Sequence, residues 1–227
     1  MTCSAEINLR TVFENCKHGA DMQISTVMQS FHEKVIAEGH LPEEFFVGAD
    51  NTPKETKNNP FCWWLIWLLC VLDGTCLWSC GMLFLIVGHT HDKIDRLFSR
   101  LRAAITGHDF DTVEKLVAIL QQRMPGFDFD SSHLSRVWNW SSLKGLDLPA
   151  LKGLPRVHAL NFFRSRGGIY VKWKHYLTSD DWSRPVLIVP ADDMARVADW
   201  KPDAFDLAFK EKTREKTAMK CARPGRS

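Results

Sequence analysis

The 227-residue sequence has no Cys-x-x-Cys pair, no leader-like start, no internal repeat, no low-complexity tract and almost no net charge. Each lack narrows the class of protein. Without a Cys-x-x-Cys pair, the seven cysteines (Cys3, Cys16, Cys62, Cys70, Cys76, Cys80 and Cys221) read as reduced thiols, four of them inside an apolar run where cysteine acts as a small hydrophobe. Residues 1–20 mix charges throughout and show no basic region followed by an apolar core, which argues against secretion and for an intracellular chain, the nucleus included. The missing repeats exclude solenoids and arrays. A formal net charge of +2, with 45% hydrophobic and 25% charged residues, excludes a disordered chain and suits one domain with appendages.

Charge is uneven only at the end, where Lys210 to Arg226 holds seven basic residues against Glu211 and Glu215. We read 207–227 as a solvated, disordered basic tail rather than a phosphate-binding arm.

One long apolar run is present. Phe61 to Val87 is long enough to cross a bilayer. Each Leu, Ile, Phe or Val gains about 0.3–0.6 kcal/mol at mid-membrane and a central Asp costs about 3, so Asp73 with Gly74, Thr75 and Ser79 brings the sum near zero. Pattern decides instead: Asp73-Gly74 is a turn signal that splits the run into a helix and a strand, and no membrane partner is expected.

Periodicity orders the rest. Ile24, Val27, Met28, Phe31, Val35 and Ile36 recur at helical spacing ahead of Gly39, a C-cap candidate. Phe45 to Ala49 reads as a buried strand that delivers Asp50-Asn51 into a loop before Pro53. A helix from about Lys57 to Leu72 is apolar nearly all round, with Trp63, Trp64 and Trp67 on more than one face, so it is buried on two sides as core. Met82 to Val87 reads as a central parallel strand ending at Gly88-His89-Thr90-His91, and a helix follows from Asp92 with Asp95 in its first turn. Another helix covers Asp111 to Gln122.

Right-handed crossovers make the two strands parallel neighbours whose C-terminal ends share one edge, where open α/β sheets bind ligands. Asp50 and the group His89, His91, Asp92 and Asp95 then converge across about 40 residues of sequence. Carboxylates gathered this way make an oxygen-lined site for Mg²⁺ or Mn²⁺, the setting for metal-assisted phosphodiester chemistry.

Residues 125–156 are expected as a loop-rich connector, with local order only near Leu134 to Leu143. A β-rich C-terminal module follows over 157–206: a hairpin of Val157 to Phe163 and Ile169 to Trp173 about the Arg166-Gly167-Gly168 turn, then Val186 to Val189. Residues 1–20 are expected to be a flexible N-terminus and 21–124 the α/β core.

Asp50-Asn51 with Glu55-Thr56-Lys57-Asn58, then Gly88-His89-Thr90-His91 and Ile94-Asp95, resembles an uncharacterised, often multi-copy family of transposon-derived domains. The resemblance covers roughly residues 20–105 and, more loosely, Val157 to Pro190. That family is similar in layout to DDE transposases and retroviral integrases, which implies an RNase H-like three-layer α/β fold acting on DNA. Carried over, Asp50 is the second acid and Asp95 the third, both catalytic and metal-binding, with His89, His91 and Asp92 beside them and Asn51, Lys57 and Asn58 on the substrate. The resemblance implies a divalent metal but no small-molecule cofactor, and leaves the oligomeric state open. Lys93 stands where family members often carry a further acid, and Thr56 where Asn is usual. The meander bearing the first acid does not fit into the few residues before the first helix, so the RNase H-like domain is expected to be incomplete and inactive, or a noncatalytic, domesticated binding module.

Each residue also has an ordinary role. Asp50 and Asn51 suit a turn, Asp92 an N-cap, Asp95 a helix dipole, the two histidines loop hydrogen bonds, and Lys57 a solvated side chain. Gly88-His89-Thr90-His91 after an apolar strand also resembles the last metal motif of calcineurin-like phosphoesterases, whose Gly-Asp and Gly-Asn-His motifs are missing. His89-Thr90-His91-Asp92 is similar to metallo-β-lactamase ligands, but Lys93 replaces their Asp.

Overall fold

The computed structural model describes residues 5–11, 19–49, 56–84, 93–125, 127–134 and 136–203. Its centre is a five-stranded mixed sheet in the order β2 (Glu44–Ala49), β3 (Ser79–Phe84), β5 (Ala159–Ser165), β6 (Gly168–Lys174), β7 (Val186–Pro190). The expected parallel pair is present: β2 runs parallel to β3, with Ala49 opposite Phe84. The three later strands form an antiparallel meander on the other side of β3. They extend the same sheet and share its core, so the stretch expected as a β-rich C-terminal module supplies three of the five strands.

Helices α1 (Ala20–Glu38), α2 (Asn59–Val71) and α5 (Ala191–Ala198) pack together on one face. α1 ends where expected, because Gly39 adopts the left-handed conformation (φ 74°) that closes the last turn onto the Val35 carbonyl. α2 is the centre of the core: Phe61 to Cys70 are all buried. Trp64 makes edge-to-face contacts with Phe45, Phe61 and Trp140, and Trp67 does so with Trp140 and Trp200. Such pairs add about 0.5–1.5 kcal/mol each beyond burial, which is why the tryptophans are core residues.

The long apolar run divides at Asp73-Gly74 as expected. α2 has 13 residues, about 20 Å of helix against about 30 Å of hydrocarbon. No described helix is long and apolar enough to cross a membrane. Gly74 takes φ 79°, and Arg164 from β5 clasps the turn, its guanidinium donating to the carbonyls of Leu72 (2.8 Å), Thr75 (2.8 Å) and Leu77 and to Asp73 Oδ1 (2.9 Å). β3 begins at Ser79, three residues before the expected Met82, and its expected end, residues 85–87, lies outside the described residues.

Two elements depart from expectation. Residues 1–20 contain β1 (Ala5–Thr11), and the connector contains β4 (Phe127–His133); the two pair in parallel as a separate two-stranded sheet. The signal is strict alternation, Ala5, Ile7 and Leu9 against Glu6, Asn8 and Arg10, matched by Phe127 and Phe129 against Asp128 and Asp130. Neither strand pairs with a sequence neighbour, so neither shows the hairpin signature. Helices α3 (Lys93–Ile105) and α4 (Val113–Arg123) belong with this pair, through a cluster of Leu97, Leu101, Leu116, Leu120, Met124 and Phe129. The expected order near Leu134 to Leu143 is a 3₁₀ turn, Trp140–Leu146, that packs on α2. The basic tail lies outside the described residues.

Candidate functional site

The parallel pair creates a rim. Ala49 and Phe84 lie opposite each other at the C-terminal ends of β2 and β3, one inter-strand spacing of about 4.8 Å apart. From these two ends the chain leads into 50–55 and 85–92, the segments that hold the sequence candidates. Asp50, Asn51, His89, His91 and Asp92 themselves lie outside the described residues. Asp95 is the third residue of α3, in its first turn.

Lys57 and Asn58 are described, and both stand at this rim because they immediately precede α2. Asn58 is the helix N-cap: its Oδ1 accepts from the Phe61 backbone N–H at 3.1 Å, and Pro60 in the first turn needs no such partner. Lys57 corrects the expectation of a solvated side chain. It is 6% exposed; its ammonium donates to the Pro155 carbonyl at 3.1 Å and lies 4.8 Å from the centre of the Phe84 ring. Burial lowers its pKa from the ordinary lysine value, since a charged ammonium loses hydration there. A cation has therefore been built into the C-terminal end of the central strand at some electrostatic cost.

Sequence reasoning missed the groups that surround this lysine. His158, at the start of the meander, donates its backbone N–H to Lys174, accepts the Phe84 N–H at 2.8 Å, and holds its ring Nδ1 3.5 Å from the Phe84 carbonyl oxygen. Beside Lys57 opens a cleft of about 540 Å³ between the start of α2, the 3₁₀ turn and the loop before β5, lined by Lys57, Asn58, Trp63, Ser141, Lys144 and Gly153 among others. Its walls are stitched together by Leu151 N–H to Asn59 Oδ1 (2.8 Å), Trp63 Nε1 to Pro149 O (3.3 Å) and Ser141 N–H to Asp21 Oδ1 (2.7 Å). These contacts join residues 86 to 120 positions apart, a separation at which no spacing motif exists.

Two lysines and the positive end of α2 make the cleft suited to an anion of phosphate or carboxylate type, while the Ser141 hydroxyl is taken by the Asp21 carboxylate. Among the described residues no group of three or more His, Cys, Asp or Glu side chains could hold a metal ion. The carboxylates expected to make an oxygen-donor site are those of Asp50, Asp92 and Asp95; Asp50 and Asp92 lie outside the described residues, so the described donors do not test the fit of Mg²⁺ or Mn²⁺.

Fold and rim together define a mixed α/β domain with a cationic site at the C-terminal edge of a parallel strand pair. The chain belongs to the family described as domain of unknown function DUF7869, whose model matches residues 3–179. No curated protein and no solved structure matches it.

Proposed function

We propose that this chain is a transposase- or integrase-derived, RNase H-like domain whose rim at β2 and β3 binds the phosphodiester backbone of DNA. The ancestral chemistry is metal-dependent phosphodiester cleavage and transfer, with Asp50 and Asp95 as acids and Mg²⁺ or Mn²⁺ as the ion they would hold. The observation that carries the reading is Lys57: a buried ammonium beside Phe84, where the ends of two parallel strands stand one spacing apart. Such a cation balances anionic charge gathered at the rim, whether from carboxylates, from phosphate or from both. The sequence resemblance supplies the class of chemistry, and the geometry supports the place.

A second reading, a noncatalytic binding module, is favoured by the cleft beside Lys57. Its Lys57 and Lys144 are charges that could hold a phosphate without any metal. One experiment separates the two. Calorimetric titration with Mn²⁺, repeated on Asp50→Asn and Asp95→Asn, is expected to show binding in the wild type that both variants lose. Mn²⁺ binding indifferent to both changes removes the enzyme reading, and metal-independent binding of DNA that Lys57→Gln weakens leaves the module.

A further inference from the structure

Helices α1, α2 and α5 pack on one face of the five-stranded sheet, and α3 and α4 belong to the other strand pair. The opposite face carries a different chemistry. Along register, Phe46, Gly81, Asn161 and Lys172 form one row, and Glu44, Ser79, Phe163, Tyr170 and Leu187 the next, with the one acid, Glu44, at the β2 edge away from Tyr170. A Cβ on Gly81 would collide with the Phe46 ring, so that ring lies flat across the strand, and Ser79 Oγ donates to Asn161 Oδ1 at 2.9 Å beneath the surface. Phe46 and Leu83 remain 37% and 40% exposed, so this face meets solvent.

Aromatic rings and ammonium groups are interleaved on its β5–β6 side. Phe163 and Tyr170 stack with centroids 5.8 Å apart. Lys172 lies 5.4 Å from the Phe163 ring and 4.9 Å from that of Trp182, and Lys174 lies 5.0 Å from Trp182. Trp182 comes from the loop between β6 and β7, which bounds a second cleft of about 720 Å³ with Lys174, Tyr176 and Ser179. From Arg166 to Arg184 there are four Lys or Arg residues against Asp180 and Asp181, in a chain whose whole net charge is +2. Positive charge over partly open π surface selects a polyanion that also carries flat, stackable groups. A polyanion alone would need no rings, and an apolar peptide would need no lysines.

We propose that this face is a binding platform for single-stranded DNA, with bases stacking on Trp182, Tyr170 and Phe163 and the backbone held by Lys172 and Lys174. Its direction fits the rim: Lys174 is in register with Ala159, Leu83 and Gly48, one residue short of Ala49 and Phe84. A strand bound there leads to the same end of the sheet, about two strand spacings away. The platform needs neither Asp50 nor a metal, so it stands or falls apart from the rim reading.

The test is fluorescence anisotropy of a labelled 15-nucleotide oligo-dT with the full chain in EDTA at several salt concentrations. Trp182→Leu is expected to weaken binding by about tenfold or more, Trp182→Phe to restore most of it, and the Lys172→Gln/Lys174→Gln pair to flatten the salt slope by about 1.4. Circular dichroism of each variant separates lost contacts from lost fold. The proposal is overturned if the wild type ignores oligo-dT, if a blunt duplex of the same length or vesicles of anionic lipid bind more tightly, or if Trp182→Phe is as defective as Trp182→Leu. A ribo-oligonucleotide bound more tightly than the deoxy one would likewise overturn it in favour of RNA.

Discussion

Arg164 holds the turn that makes the tryptophan-rich run a helix and a strand, and its removal has a calculable effect. The side chain is 12% exposed and donates to three backbone carbonyls, those of Leu72, Thr75 and Leu77, besides Asp73. Leu72 O keeps Thr75 as a donor through both its N–H (3.1 Å) and its hydroxyl (2.6 Å), and water can replace the guanidinium at the exposed Thr75 carbonyl, so the full loss falls on the buried Leu77 carbonyl. Hydrogen bonds from a charged group are each worth about 1.5–3 kcal/mol and do not add fully, so Arg164→Met is expected to cost about 2–3 kcal/mol. Asp73 is 64% exposed, so the ion pair contributes under about 1 kcal/mol of that. In a domain of this size the midpoint falls by roughly 4–12 °C. Arg164→Lys recovers only part, because an ammonium cannot span both branches of the fork. Thermal and urea unfolding of Arg164→Met, Arg164→Lys and Asp73→Asn decide the matter. A loss below about 1 kcal/mol for Arg164→Met, or an equal loss for Asp73→Asn, would refute the carbonyl clamp.

Burial lowers the Lys57 pKa, so the folded state binds this proton less well than the unfolded chain, and stability rises with pH between the lowered value and the ordinary 10.5. The stability of wild type relative to Lys57→Met is therefore expected to improve from pH 7 to 9.5 in urea titrations; a difference independent of pH would contradict it. Burial pushes the Cys62 thiol up to about 12, and burial, then the nearby Asp73, does the same for Cys70; Cys80 is also raised well above the ordinary range by burial. Peptide mapping after a brief iodoacetamide pulse on native protein is expected to find Cys76, which is exposed, alkylated and the other three protected. Gly81→Ala puts a methyl against the Leu160 carbonyl oxygen and the Phe46 ring, and since the backbone of a paired strand cannot yield as a side chain can, it is expected to cost about 1–3 kcal/mol in the same unfolding assay.

What was readable in advance follows the range over which each interaction acts. α1, β2, α2 and α4 carry their periodicity, caps and turn residues within a dozen or so positions, and Gly39, Asn58 and the Asp73-Gly74 turn do locally what their chemistry requires. β1 and β4 alternate just as cleanly, yet their pairing joins positions about 120 apart. Alternation marks a strand but names no partner. The meander was legible as a hairpin and a strand because its turns are local; that it completes the sheet of β2 and β3 depends on Leu160 and Phe162 facing the same core as Met82 and Cys80. α5 passed unnoticed because eight residues show too few turns for a period to stand out.

The site divides along the same line, and the division bears on where function should be sought. The motif residues fall in two short clusters, most of them in the segments after β2 and β3, while the contacts now seen at the ends of those strands, Lys57 over Phe84 and His158 against the Phe84 carbonyl, join parts of the chain about 30 to 100 positions apart. A lysine flanked by Thr56 and Asn58 looks solvated on composition alone. It is buried because the Pro155 carbonyl and the Phe84 ring are delivered to it by a different part of the fold, and the hydration it forgoes is a cost that an N-cap or a turn would not require. A charge kept at the end of the central parallel pair is what a site for anionic ligands needs, which is why Lys57, more than any of the acidic residues, is the position at which the phosphodiester reading should first be tested.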